Sequence, residues 1–190
     1  PARGALVLSS LGSSKYWEIE TTGRYLASER RDLTVSYVHS RSTRDLNAYD
    51  DFFGNFRDPI IRANEDSLSP TDVPHRWIVR GSLGLPGMWT FSPLYEWRTG
   101  FPWSAVNEFQ DFVGPRNESG RLPRVSTFDF SLTRPFKFKK YRFTSGLRVF
   151  NAFATGDERD VQANITAPDY GTFYNPIHRS IGVVLSAGFP

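Results

Sequence analysis

Residues 126–153 alternate between apolar and polar side chains on both sides of a basic turn. The first arm sets Phe128, Phe130 and Leu132 against Thr127, Asp129, Ser131 and Thr133. The second sets Phe143, Ser145, Leu147 and Val149 against Arg142, Thr144, Gly146 and Arg148. Successive side chains of a strand point to opposite faces, so a period of two predicts two antiparallel strands, each with one apolar and one polar face. The turn between them is placed at Lys137, Lys139 and Lys140.

The same phase extends the pattern to eight strands. The first is a short one at 5–10. The second, 15–26, sets Trp17, Ile19 and Tyr25 against Glu18, Glu20 and Arg24, and the third, 31–42, sets Leu33, Val35 and Tyr37 against Thr34, Ser36 and Ser40. The fourth, 75–85, puts Trp77, Val79, Leu83 and Leu85 opposite Arg76, Arg80 and Ser82. The fifth, 88–103, puts Trp89, Phe91, Tyr95 and Trp97 opposite Thr90, Ser92, Glu96 and Arg98, with Pro93 predicting a bulge inside it. The sixth and seventh are the pair at 126–153. The eighth, 178–189, sets Ile181, Val183, Leu185 and Phe189 against Ser180, Gly182 and Ser186.

After a short loop at 11–14 the connections run short, long, short, long, short, long: 27–30, 43–74, 86–87, 104–122, 137–140 and 154–177. In an up-and-down meander alternate connections lie at the same end, so one end is expected to carry tight turns and the other all the long loops. Outer-membrane barrels have that asymmetry, whereas a sandwich with Greek-key links has no reason for it. The expected fold class is therefore all-β: an antiparallel up-and-down meander of about eight strands, part of a transmembrane outer-membrane barrel. On this reading Trp77, Val79, Trp89, Phe91, Phe128, Phe130, Leu132, Leu147, Val149, Val183, Leu185 and Phe189 face lipid. Arg76, Arg80, Glu96, Arg98, Asp129, Arg142 and Arg148 face an aqueous lumen.

Composition narrows the alternatives. No apolar run approaches the ~20 residues of a transmembrane helix; 181–185 spans only five, with Gly182 inside it. Aromatic residues make up 15% of the chain and fall at strand ends as well as centres, as the interfacial girdles of a lipid barrel require. The net charge is only +3, with acidic residues interspersed among the basic ones and no basic stripe, which argues against nucleic acid as a partner. Cysteine is absent, so no disulfide or thiolate-metal framework exists. The start at Pro1 suggests a mature or excised piece of something longer.

Candidate chemistry is sparse. His39, His75 and His178 lie far apart with no metal-ligand spacing, and no G-x-S-x-G nucleophile elbow occurs. Glu96 and Asp129 could form a carboxylate pair, and the acidic loops 50–72 and 157–169 could hold calcium or a substrate. Wall charges and solvated loops account for both. Neither a cofactor nor an enzymatic activity is expected.

Several segments carry a resemblance. They are Asp72-Val73-Pro74-His75-Arg76-Trp77, Gly81-Ser82-Leu83-Gly84-Leu85-Pro86, Trp97-Arg98-Thr99-Gly100-Phe101-Pro102-Trp103, Leu147-Arg148-Val149-Phe150-Asn151-Ala152-Phe153 and Tyr170-Gly171-Thr172-Phe173. Over most of 15–190 the chain resembles the C-terminal barrel region of TonB-dependent outer-membrane receptors, of the type with a carboxypeptidase-regulatory-like N-terminal domain. The resemblance implies the last third or so of a 22-stranded barrel for uptake of a bulky solute. It also implies partners in outer-membrane lipid, the N-terminal barrel and plug of the same protein, and TonB acting through that plug. The chain departs from that pattern in placing Pro190 after the closing Phe189. Two other readings stay open: a soluble β-sandwich binding carbohydrate through Trp89, Trp97 and Trp103, and a complete eight-stranded structural barrel.

Overall fold

A computed structural model of the chain describes residues 12–28, 30–45, 53–55, 58–60 and 66–188. The predicted strand at 5–10 and the predicted lipid contact of Phe189 lie outside these residues. The strands, in chain order, are β1 (Ser14–Ser28), β2 (Arg31–Arg44), β3 (Phe53–Asn55), β4 (Asp58–Ile60), β5 (Ser67–Leu68), β6 (His75–Gly84) and β7 (Thr90–Arg98). They continue with β8 (Pro102–Trp103), β9 (Gly120–Arg121), β10 (Val125–Phe138), β11 (Tyr141–Phe150), β12 (Glu158–Val161), β13 (Phe173–Pro176) and β14 (Ser180–Gly188). No described helix is long and apolar enough to cross a membrane.

Seven of these strands form one antiparallel meander in the order β1-β2-β6-β7-β10-β11-β14, and β5 adds to the end of β2. The register ties the alternation of each strand to that of its neighbours. Tyr37 stands opposite Trp77 and Val35 opposite Val79; Trp77 in turn faces Trp97, and Leu83 faces Phe91. The row continues from Phe91 to Leu132, to Leu147 and to Val183. Directly opposed residues share a face, so seven local patterns merge into one apolar face, and the polar positions merge into the other.

The apolar face has graded ends. Trp17, Tyr37, Trp77, Trp97 and Phe128 mark the long-loop ends of successive strands, and Tyr25, Trp89, Phe136 and Phe143 the short-turn ends. Ile19, Val35, Val79, Phe130, Leu132, Leu147 and Val183 lie between. Rings meet along both borders, with Tyr37 and Trp77 centred 4.6 Å apart and Phe136 stacked on Phe143 at 5.3 Å. Trp89 precedes β7 but keeps its phase, with the Arg134 guanidinium 5.9 Å from its ring.

No second sheet among the described residues packs on this face, although the loop residue Phe153 stacks on Phe128 with ring centres 5.1 Å apart. Ile181, Val183 and Leu185 are 65%, 75% and 78% exposed, and the only buried apolar side chains among all the described residues are Ala105, Val106, Val125 and Val149, of which Val149 alone lies on this face. Val149 sits on the predicted face but is shielded rather than open, because its short side chain stands between Phe130 and Ile181.

Several expectations need correction. The fifth strand does not run over 88–103: β7 stops at Arg98, and Gly100 turns the chain so closely past 122–123 that a Cβ there would sit 1.8 Å from the Leu122 carbonyl oxygen. Pro93 makes no bulge. Its pairing with Phe130 is continuous, and the ladder to β6 keeps the same register on both sides of it, lapsing only beside Pro93, which has no N–H to donate. The bulge falls instead at Leu26/Ser28 in β1. The basic turn is Lys139–Lys140 alone, since Lys137 still pairs with Arg142. The long connections carry structure of their own in β3–β4, β8–β9 and β12–β13. The described sheet is not closed, with β1 and β14 as its two edges.

Candidate functional site on the polar face

The predicted lumen-facing residues share one face but do not make one site. Arg76 and Arg98 stand directly opposite each other on β6 and β7, an arrangement that repels unless a counter-charge lies between. Glu96 provides it, with its Oε1 accepting from Arg76 Nε at 3.0 Å and lying 3.7 Å from Arg98 Nε. The Arg98 guanidinium also covers the Phe101 ring at 4.3 Å, which fixes its position as the chain leaves β7.

These three side chains line one wall of a cavity of about 450 Å³ near the long-loop end of the polar face. Tyr16 and Glu18 of β1, Val38, Ser40 and Ser42 of β2, and Thr71, Val73 and Phe101 from the loops complete it. The mixture of aromatic, hydroxyl and oppositely charged groups suits a polar solute with hydroxyl or ionic groups, and the volume falls within the range of small-molecule sites.

The other four residues stand apart. Asp129 is not a free wall charge, because its Oδ1 accepts from the Asn151 amide at 2.7 Å and so closes the end of β11. Glu96 and Asp129 thus have separate partners and form no carboxylate pair. Arg148 approaches the Phe150 ring at 5.9 Å, while Arg80 and Arg142 are exposed on the same face. Among the described residues no group of three or more His, Asp or Glu could hold a metal.

Above the cavity the long loops are tied down by buried polar groups, alongside the buried apolar Ala105 and Val106. Asp72, 1% exposed, accepts from the Ser42 amide at 2.6 Å and pairs with Arg121 Nη2 at 2.5 Å. Arg121 Nη1 donates to the carbonyls of Asp72 and Gly100 at 2.9 and 3.1 Å. Asn117 Nδ2 reaches the Leu68 carbonyl at 2.7 Å. At the neighbouring loop Asn151, 2% exposed, donates to the carbonyls of Thr155 and Ile177 at 3.0 and 2.8 Å. Outside the strands, the Ser13 amide, and secondarily its hydroxyl, hold the Asp45 carboxyl below its ordinary range.

Neither a family model, nor a curated protein, nor a solved structure matches this chain. The polar face and its loop cap therefore rest on their own geometry. The sequence named Arg76, Glu96 and Arg98; it missed the loop walls Thr71, Val73 and Phe101, whose approach depends on the Asp72–Arg121 tie. His39 and His75, 36 residues apart along the chain, are placed opposite each other by the register with rings stacked at 4.8 Å, which sequence spacing alone does not reveal. His39 Nδ1 meets the Pro74 carbonyl at 2.8 Å, so this nitrogen carries the donated proton, and His75 Nδ1 shares a hydrogen bond with Tyr37 Oη at 2.8 Å. They belong to the aromatic border of the apolar face.

Asn151 is the loop residue whose loss is easiest to read. Its backbone φ of 48° is one that Asn tolerates better than Ala. Asn151→Ala also strands two part-buried carbonyls, so it is expected to cost about 1–3 kcal/mol in denaturant unfolding of the detergent-folded chain. Phe153→Ala on the same loop, whose ring is 71% exposed, should cost clearly less.

Proposed function

We propose that the chain is an arc of the wall of an outer-membrane β-barrel of the TonB-dependent receptor type. In this reading its polar face borders the path of a bulky solute and it has no enzymatic chemistry of its own. The observation that carries the proposal is the uncovered apolar face running across seven strands in one register. A soluble sheet must bury such a face against another layer, and the described residues supply no second sheet over it.

Three further features support the reading. The principal strands run from 9 to 15 residues, enough for the ~9–11 that a tilted strand needs to cross the apolar band. The connections at one end are tight turns, and those at the other are long and internally structured. Among the described residues both β1 and β14 leave open edges, which in lipid demand further strands to satisfy their backbone groups. The remaining barrel strands are thus the natural partners at the edges. A plug, through which TonB acts, is the partner of the polar face, with outer-membrane lipid on the apolar one. For a carbohydrate-binding sandwich the tryptophans are poorly placed. Trp103 belongs to β8, edge-on to Tyr170 at 6.0 Å, whereas Trp89 and Trp97 follow the phase of the apolar face.

Solubility tests this directly. The refolded chain is expected to be monodisperse with β-rich circular dichroism only in detergent or lipid, and to aggregate on detergent removal. A monodisperse, folded species in detergent-free buffer would sink the proposal.

A further inference from the structure

Near the short-turn ends of β1, β2 and β6, the apolar face is interrupted by a slot of about 320 Å³. It is lined by Tyr25, Ala27, Leu33, Gly81, Leu83 and Pro93, with Arg31 at its border. Its origin lies in the sequence. Gly81 contributes no side chain where Leu33 stands opposite it, and the compact ring of Pro93 follows beyond, where the ladder between β6 and β7 lapses. The larger neighbours therefore stand around a gap. Asp32 also borders it, but by alternation its carboxylate belongs to the polar face.

The charge pattern identifies the occupant. In the seven strands of the meander, no acidic residue falls in phase with the apolar side chains; the cations that do are Lys15, Arg31, Arg41 and Arg134. Arg31 and Arg134 lie toward the short turns, where Lys139 and Lys140 add to them. Arg31 is exposed, opens β2 directly after its turn and pairs across the ladder with Leu83, a slot residue. An apolar slot beneath a guanidinium, on a face free of carboxylates, is complementary to an amphiphile with an anionic head.

We propose that this slot is a binding site for one anionic glycerophospholipid of the leaflet on the short-turn side. An acyl chain lies between Leu33 and Leu83, and the headgroup phosphate accepts from Arg31. The proposal rests on the membrane reading above but adds a discriminating site to it. Its volume is at the lower end of ligand pockets, ~300 Å³, and a single basic side chain near anionic headgroups adds about fivefold in affinity.

The test is native mass spectrometry of the full detergent-folded chain, titrated with phosphatidylglycerol, phosphatidylcholine or inorganic phosphate. The wild type is expected to retain one phosphatidylglycerol in preference to phosphatidylcholine. Arg31→Gln should weaken that retention about fivefold, Ala27→Phe, which fills the slot, should abolish it, and Arg24→Gln on the polar face should leave it unchanged. Arg31 is exposed, so its variant decides the matter even where Ala27→Phe fails to fold. Equal retention of the two lipids, unaltered retention by Arg31→Gln, or full competition by inorganic phosphate would each overturn the site. These outcomes leave the membrane reading standing, because that reading fails only if the chain is monodisperse without detergent.

Discussion

Leu132→Arg is expected to destabilise the chain in a bilayer by about 2–4 kcal/mol, the cost of a cation on the lipid face near the midplane. Leu132 is central in β10 and stands in the row Leu83, Phe91, Leu132, Leu147, Val183, with an apolar neighbour on either side. Two companions give the result its meaning. Ser92 is the ladder partner of Ser131, one step along the strand and on the other face. Ser92→Arg at nearly the same depth should therefore stay within about 0.5 kcal/mol, as surface changes do. Phe138→Arg, on the apolar phase but beside the short turn and 62% exposed, should cost about 0–1 kcal/mol, because the penalty fades toward the interface. Reversible urea unfolding in lipid vesicles reads all three. A wild-type-like Leu132→Arg, or a Ser92→Arg that costs as much, would reverse the assignment of the two faces.

That experiment probes the part of the fold most open to reading from sequence. Alternation is local, and each strand declares its two faces without reference to its neighbours, so Phe128, Phe130 and Leu132 could be placed on one side from their own segment. Strand ends are not local. β7 stops at Arg98 because Gly100 must pass the Leu122 carbonyl, a contact that no window around Gly100 contains. Pro93 misled for a similar reason, since a missing N–H can be absorbed by a lapse in one ladder while the other continues through it. The pairing of His39 with His75 follows from register alone, and register is set between strands rather than within them. The polar cavity shows the same division. Its strand-borne wall of Arg76, Glu96 and Arg98 was legible. The loop-borne wall was not, since a single ion pair and a few carbonyl contacts hold it, none of them periodic.

Arg121→Ala should show how much that ion pair carries, with an expected loss of about 3–5 kcal/mol, toward the lower figure because Arg121 is itself 28% exposed. The reason is asymmetry. The Asp72 side chain is 1% exposed, so removing the guanidinium leaves an enclosed carboxylate that, among the described residues, keeps only the Ser42 amide. The carbonyls of Asp72 and Gly100 lose their donor as well. If the cost arises from the stranded charge, Asp72→Ala combined with Arg121→Ala should be milder than the sum of the two single changes, a coupling readable in a double-mutant cycle of unfolding free energies. Strict additivity would mean that the pair does no more than fill space. The location of the pair adds a second readout. Arg121 sits in β9 and Asp72 in the loop before β6, 49 residues apart, so the pair fastens one long connection to another beside the cavity walls Thr71, Val73 and Phe101. Arg121→Ala should therefore expose 104–119 to limited proteolysis while the strands on either side stay protected. Cleavage within β6 or β7 at the same rate would show that the tie supports the sheet itself rather than the roof over its polar face.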